Sequence, residues 1–364
     1  MKENDIKCAF GSGGVFAASN SAHGFKSYYK DVFDSSGAER IYIIKGGPGT
    51  GKSRFMKEVV DYCKGIGYLS EIYNCSSDPD SIDGVIIDGR VIILDGTSPH
   101  TAEPEVAGAR DEIINLGAFW DANALAKRYD EISELCSRKS GAYAKGYRYL
   151  AGCGELVLIN RGLIMPTIKT QKMKNYISRI MSNIPRGTGG KILPSIVDSI
   201  GMKGRVKYDT YERCAKKLYT VIDWYSSANI FLAELIQAAQ MKDIPMRVSY
   251  EPVSSEFPDA VYFINSDIAF VATPPHEVDA SSGTRINMKR FIDKSSLDVV
   301  KREYKNNVKL YEALLSSGCD AFAEAGEYHF ALEEIYSSCM DFSAKERYTA
   351  SFCEMLGAYL KGKG

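Results

Sequence analysis

Apolar positions along the chain follow two different periods. Ile41-Tyr42-Ile43-Ile44 is an unbroken apolar run rich in β-branched residues, the pattern of a buried strand. Phe55, Met56, Val59, Val60 and Cys63 then recur at helical spacing, and Gly65 and Gly67 stop that helix. Leu69-Ser70-Glu71-Ile72-Tyr73 predicts a second strand and Val91-Ile92-Ile93-Leu94-Asp95 a third. Between them, Cys75-Ser76-Ser77-Asp78-Pro79-Asp80-Ser81-Ile82-Asp83 reads as a polar loop with three carboxylates. Upstream, residues 11–24 are rich in Gly, Ala, Ser and Asn and read as a loop, followed by an amphipathic stretch through Tyr28, Tyr29, Val32 and Phe33. Leu125, Tyr129, Ile132 and Leu135 place a helix over 123–136. Further helices are predicted over 142–159 and 168–184, with a break at Met165-Pro166-Thr167. The pattern predicts an α/β fold, a mostly parallel sheet carrying a helical-hairpin arm.

The first strand and first helix are joined by Gly46-Gly47-Pro48-Gly49-Thr50-Gly51-Lys52-Ser53, which matches G-x-x-x-x-G-K-[ST] in its required strand–loop–helix context. The glycines let backbone N–H groups converge on one point, and the helix N-terminus adds unpaired donors and partial positive charge. Lys52 suits the β- and γ-phosphates, and the Ser53 hydroxyl suits Mg²⁺. Asp95, ending an apolar strand, is the expected second Mg²⁺ residue. No Glu follows Asp95, so the water-activating Glu of many ATPases is absent from its usual place. The loop's three carboxylates, Asp78, Asp80 and Asp83, are candidates for contacts to metal-bound water or for a base, with an Asx turn and helix cap as the competing reading. His100, in Asp95-Gly96-Thr97-Ser98-Pro99-His100, reads as a loop residue or a γ-phosphate sensor.

A second pattern spans the whole chain. Placing His276 on His100 sets an offset of 176 residues, which brings Thr97 and Pro99 onto Thr273 and Pro275, and Phe55 onto Phe231. Asp83 falls on Asp259, and Gly11, Gly13 and Gly14 fall on Gly187, Gly189 and Gly190. Past a four-residue deletion, Phe119, Asp121 and Leu125 match Phe291, Asp293 and Leu297. Ser343 with Glu346 reads as a capping box after a break near Met340. At this offset the phosphate loop becomes Ile222-Asp223-Trp224-Tyr225-Ser226-Ser227-Ala228-Asn229 and Asp95 becomes Val271. The copy therefore lacks its lysine, and Trp224 and Tyr225 would fill the phosphate's space. Thr-x-Pro-His survives in it, which assigns Thr97 and His100 partly to shaping a turn. Arg186-Gly187-Thr188-Gly189-Gly190-Lys191 has the wrong spacing for a second loop and reads as a linker. The chain divides into residues 1–186, active, and 187–364, a degenerate pseudo-domain, each with a helical arm.

Composition narrows the partners. The 364 residues carry 45 basic and 46 acidic side chains, a balance that gives no electrostatic case for nucleic acid. Met1-Lys2-Glu3-Asn4-Asp5 has no apolar signal-peptide core, and no apolar run approaches a membrane span. Nine cysteines, an odd number without C-x-x-C, are expected as reduced thiols in a cytoplasmic protein.

Asn20-Ser21-Ala22-His23-Gly24-Phe25, the loop 45–53, Cys75-Ser76-Ser77-Asp78, the Asp95 to His100 segment and the two-fold repeat together resemble a family. It is a little-characterised group of duplicated P-loop ATPase-like proteins of Gram-positive, often spore-forming, bacteria. The resemblance covers nearly the whole chain and implies ATP binding and hydrolysis with no established substrate. Family members carry a phosphate loop in both halves, where this chain keeps one, and His23 stands where a lysine is expected. Three functions follow as expectations. The first is a Mg²⁺-dependent NTPase, using ATP, that moves its helical arms, with an arginine such as Arg110 or Arg285 completing the site. The second is a small-molecule kinase with Asp78 or Asp80 as base. The third is an ATP-gated scaffold whose arms hold a protein partner or a second copy.

Overall fold

The computed structural model describes residue 10, residues 14–279 and residues 283–362. The match of Gly11 and Gly13 to Gly187 and Gly189 lies outside the described residues. The chain opens with a hairpin, β1 (Ala18–Ser21) and β2 (Gly24–Ser27). It continues through β3 (Arg40–Lys45), α1 (Lys52–Gly65), β4 (Ser70–Asn74), β5 (Ile82–Ile87), β6 (Val91–Asp95) and β7 (Asp111–Asn115). These five strands form a sheet in the order β4-β5-β6-β3-β7. β3 runs parallel to β6 and β7, whereas β4–β5 and β5–β6 are antiparallel, so the sheet is mixed and not mostly parallel. The reason is connection length: parallel pairing needs a crossover of a dozen or more residues. Asp88-Gly89, with φ of 52° and 68°, instead closes a tight β5–β6 hairpin, and the short loop 75–81 joins β4 to β5. Ile82 and Asp83, read as loop, begin β5. Two helices follow, α2 (Tyr129–Ile164) and α3 (Thr170–Ser182).

The second half gives β8 (Ile192–Pro194), a hairpin of β9 (Asp198–Gly201) and β10 (Gly204–Lys207), β11 (Lys217–Ile222) and α4 (Ala228–Gln240). Then come β12 (Met246–Tyr250), β13 (Pro258–Phe263), β14 (Ile268–Thr273), β15 (Thr284–Asn287), α5 (Lys294–Ser338) and α6 (Phe342–Gly362). Its sheet runs β15-β11-β14-β13-β12-β8, the order and orientations of the first with β8 added parallel to β12. Side-chain facing corrects the ungapped offset. Ile44 pairs with Asp95, and Val221, in the equivalent outward-facing position, pairs with Ala272. The residue in Asp95's place is therefore Ala272, not Val271, because a one-residue slip turns a strand's side chains to the other face. Phe55 and Phe231 stay matched and fully buried, so one residue is missing between strand and helix.

The long helices cross between the halves. α2 is one 36-residue helix, roughly 54 Å long, where two were expected. A Cβ on Gly146 would meet Phe322 of α5 at 2.7 Å, so this glycine admits the partner helix. α2 ends beside the second sheet, where Lys169 N–H donates to Phe291 O and Asp293 N–H to Thr167 O. α5 returns antiparallel and ends beside the first sheet, where Asp341 N–H donates to Phe119 O and Asp121 N–H to Cys339 O. Met173, Ile177 and Met181 of α3 consequently cover the second sheet with α4. Phe352, Cys353, Leu356 and Leu360 of α6 cover the first with α1. A division at 186 follows the chain but not the packing. α6 is capped by Asp341, whose carboxylate accepts from Ala344 N–H, and not by Ser343.

A third core joins the inner faces of the two sheets. Ile41, Ile43, Ile92 and Leu94 meet Ala260, Tyr262, Ala269 and Val271 there through Phe10, Phe16 and Tyr211. No described helix is long and apolar enough to cross a membrane.

Candidate functional site

Loop 46–51 runs from the end of β3 into α1. Gly46, Gly49 and Gly51 hold φ of 156°, 69° and 77°, the first at the edge of the left-handed range and the others inside it. Thr50 Oγ1 donates to Gly47 O at 2.9 Å and is buried beneath the loop. Lys52 Nζ donates to Gly47 O at 2.9 Å and Gly46 O at 3.1 Å, and lies 3.6 Å from Asp95 Oδ2. Asp95 Oδ1 accepts from Thr97 N–H and Oγ1–H at 2.8 and 2.6 Å, which aims the other oxygen at Lys52. Ser53 Oγ accepts from Ile82 N–H at 3.0 Å. Lys45, one residue before the loop, ties Gly96 O, Ala102 O and Glu103 together. Gly51, at the N-terminus of α1, supplies no side-chain cap, so the first-turn amides receive no acceptor from it.

The loop is covered by the arm of the other half. Ser337 Oγ, near the end of α5, donates to Gly49 O at 3.1 Å, and a Cβ on Gly49 would meet Ser337 Oγ at 2.7 Å. Glu333, one turn earlier, pairs with His329 at 3.5 Å. That contact, together with the Gly49 N–H, holds its carboxylate below the ordinary glutamate range. Tyr336 and Trp120 pack over Gly47. Lys139 of α2 faces Lys52 and Glu333, and burial, with Lys52 adding to it, lowers its pKa. Lys345 of α6, 1 % exposed, reaches Glu58 at 3.4 Å beside Gly51. A cleft of about 520 Å³, lined by Phe119, Trp120, Asp121, Cys339, Met340 and Asp341, opens next to Trp120.

Asp78 and Asp80 are brought to the same region but are engaged. Lys203 Nζ, from the β9–β10 turn, lies 2.8 Å from Asp78 Oδ1 and also pairs with Asp80. Burial alone would raise the Asp78 pKa; Lys203 and Ser81 outweigh it and hold the group below the ordinary range. The two hairpins are exchanged as the arms are. Ala22 N–H donates to Val253 O of the second half, and Met202 N–H donates to Ser77 O of the first. Lys203 thus holds, on Asp78 and Asp80 of loop 75–81, the turn position that His23 holds in the first hairpin. Arg110 is committed to Asp111 and Glu105, and Arg285 donates to Asp279 O; neither completes the loop. Sequence reasoning missed Lys203, Lys139 and Glu333. A signal for the first was present in Gly201-Met202-Lys203-Gly204, which repeats the hairpin of Ser21-Ala22-His23-Gly24 with a lysine restored.

His100 is buried behind the loop, stacked on Tyr29 at 4.4 Å with Phe25 edge-on at 4.7 Å, and its Nε2 is 3.1 Å from Asp83 Oδ2. Cys75 completes this group, its thiol pushed well above the usual range by burial and then by Asp83. The second half does not reproduce it: His276 is 81 % exposed. The shared Thr-x-Pro-His therefore serves two different places, a buried site and an open turn.

Loop 223–227 places a carboxyl group at the start of α4. Asp223 Oδ1 accepts from Ala228 N–H there at 2.9 Å. Burial raises its pKa while the Ala228 and Ser227 amides oppose that shift. Tyr225 and Ser226 adopt φ of 63° and 53°, Tyr225 packs on Tyr304, and Lys289 lies over Trp224. No family model, curated protein or solved structure matches the chain.

Proposed function

We propose that the chain is a duplicated P-loop protein that binds a nucleoside triphosphate with Mg²⁺, ATP in particular, at loop 46–53, hydrolyses it, and passes the event to the α5–α6 junction. The observation that carries this reading is the uncapped N-terminus of α1 behind a glycine loop, with Lys52 beside Asp95. An anion already sits at that loop: the Glu333 carboxylate faces the Gly49 N–H that a phosphate oxygen would take. In the second half, Asp223 fills the corresponding place from within the chain. Duplication is supported by the common sheet order and by the mirrored hydrogen bonds at the two arm junctions. The cleft beside Trp120 is of a size for a nucleoside.

The residues take distinct roles in this reading. Lys52 leaves the Gly46 and Gly47 carbonyls to neutralise phosphate charge, and the loop amides bind the oxygens. Ser53 Oγ and Asp95 would hold Mg²⁺, which would supply positive charge against the phosphates. Lys203 supplies from the second half the cation that Arg110 and Arg285 do not. Asp78, held ionised by Lys203, is a weak proton acceptor, which counts against the kinase reading with Asp78 as base. The seat of Ser337 and Glu333 on Gly49 carries a second reading, in which binding alone moves the arm without turnover.

Trp120, packed on Gly47, provides the test. Titration with ATP or GTP and Mg²⁺ should change its fluorescence, with no change in Trp120→Phe. Lys52→Ala should abolish both the change and the heat of binding, and Glu333→Gln should tighten binding. Phosphate release in the same samples separates hydrolysis from gating. No heat with either nucleotide in the wild-type chain would refute both.

A further inference from the structure

Behind the phosphate loop, three chemically different donors from three segments meet in one buried group. Cys75 follows β4, Asp83 lies on β5, and His100 lies on the segment after β6. One donor atom from each lies within 4.8 Å of the other two. His100 and Asp83 are 8 % and 3 % exposed, and neither His100 Nδ1 nor Asp83 Oδ2 has a hydrogen-bond partner among the described residues. Asp83 Oδ2 is only 3.1 Å from His100 Nε2, yet the contact lacks hydrogen-bond alignment. Two atoms that are close, buried and misaligned for a hydrogen bond are placed as two ligands of one ion are placed. A buried carboxylate oxygen left without a partner is costly, and a cation held between Asp83 Oδ2 and His100 Nε2 removes that cost.

We propose that Cys75, Asp83 and His100 form a binding site for a thiophilic divalent cation of the zinc class. The donor set selects the ion: a sulfur, an imidazole and a carboxylate suit Zn²⁺ or Co²⁺, whereas Mg²⁺ and Ca²⁺ take oxygen donors. Tyr29 and Phe25 wall the imidazole and fix its plane. The second half acts as an internal control. Where Asp259 repeats Asp83, Glu251 stands in place of Cys75 and His276 is 81 % exposed, so the set is dismantled in the half that lost its phosphate loop. An ion here would pin the loop that carries Asp78 to the segment that carries Asp95 and Thr97. The site stands on its own donors and does not depend on the nucleotide reading.

The full chain, stripped with a chelator, is titrated with Co²⁺. One equivalent should produce visible ligand-field bands and a near-ultraviolet thiolate-to-cobalt band, both displaced by Zn²⁺. Cys75→Ser should remove the thiolate band and weaken binding by more than the ~10–100-fold that loss of an outer-shell partner costs. Cys136→Ser, at an exposed thiol, should leave the band intact. Lys52→Ala should also keep it, so failure of nucleotide binding and failure of this site are read separately. X-ray absorption of the zinc-loaded wild type, independent of any variant's folding, should show one sulfur among nitrogen and oxygen neighbours. No cobalt band in the wild type, a band that survives Cys75→Ser, or a zinc shell without sulfur would overturn the proposal.

Discussion

Asp223 and Asp259 are buried carboxyl groups of the second half with different surroundings. Asp223 caps α4 with its own carboxylate where α1 has only Gly51. Asp223→Ala should cost about 1 kcal/mol in urea unfolding, the usual value of an N-terminal cap, whereas Asp223→Asn should be nearly neutral. Asp259 is raised to about 6 by burial. Its folded pKa lies above the ordinary carboxylate value, so the folded state holds the proton more tightly and this group's contribution falls as pH rises from about 4 to about 6. Asp259→Asn should therefore gain stability over wild type between about pH 5 and 7, by thermal melts at matched pH. A difference that shrinks as pH rises would reverse the sign. At this scale the strand, glycine turn and helix around residues 46–53 were legible in the sequence because all their parts are local. Glu333 beside that turn, and Lys203 on Asp78 and Asp80, were not, since they arrive on elements far away in the chain.

Elements depart from the sequence pattern where glycine has a packing role. The Asp88-Gly89 turn and the antiparallel β5 before it, whose Gly84 leaves room for Phe33, went unread in the sequence. The packing role of the α2 glycines could not be read from the chain, because their reason lies on α5 and the hairpins. Gly146 admits Phe322, Gly152 faces Leu314, and Gly154 takes Ala22 at the tip of the first hairpin. Gly326 of α5 takes Met202 of the second hairpin in the same way. Gly146→Leu should cost ~1–3 kcal/mol by overpacking against Phe322, seen as a lower urea midpoint. Gly162, with open space at its Cβ position, should tolerate Ala or gain slightly from it.

Across the whole molecule, two sheets are joined by an inner core and by helices that each finish on the other half. The repeat in the sequence pointed to two similar units; their exchange was invisible because α3 and α6 carry the same kind of apolar face whichever sheet they cover. Fragments 1–186 and 187–364 should each fail to melt cooperatively when produced alone. The first lacks Phe352, Leu356 and Leu360 over its sheet, and the second lacks Met173, Ile177 and Met181. Mixed from denaturant, the two should recover one shared transition by circular dichroism. Two independent transitions would mean that the exchanged helices contribute little.

The crossing also sets an order in time. During synthesis, β3, β5 and β6 leave the ribosome long before residues 342–362, so the α6-covered face of the first sheet stays bare to solvent or chaperone for most of translation. Loop 46–53 can assume its final surroundings only after the last arm has been made and has travelled back across the molecule.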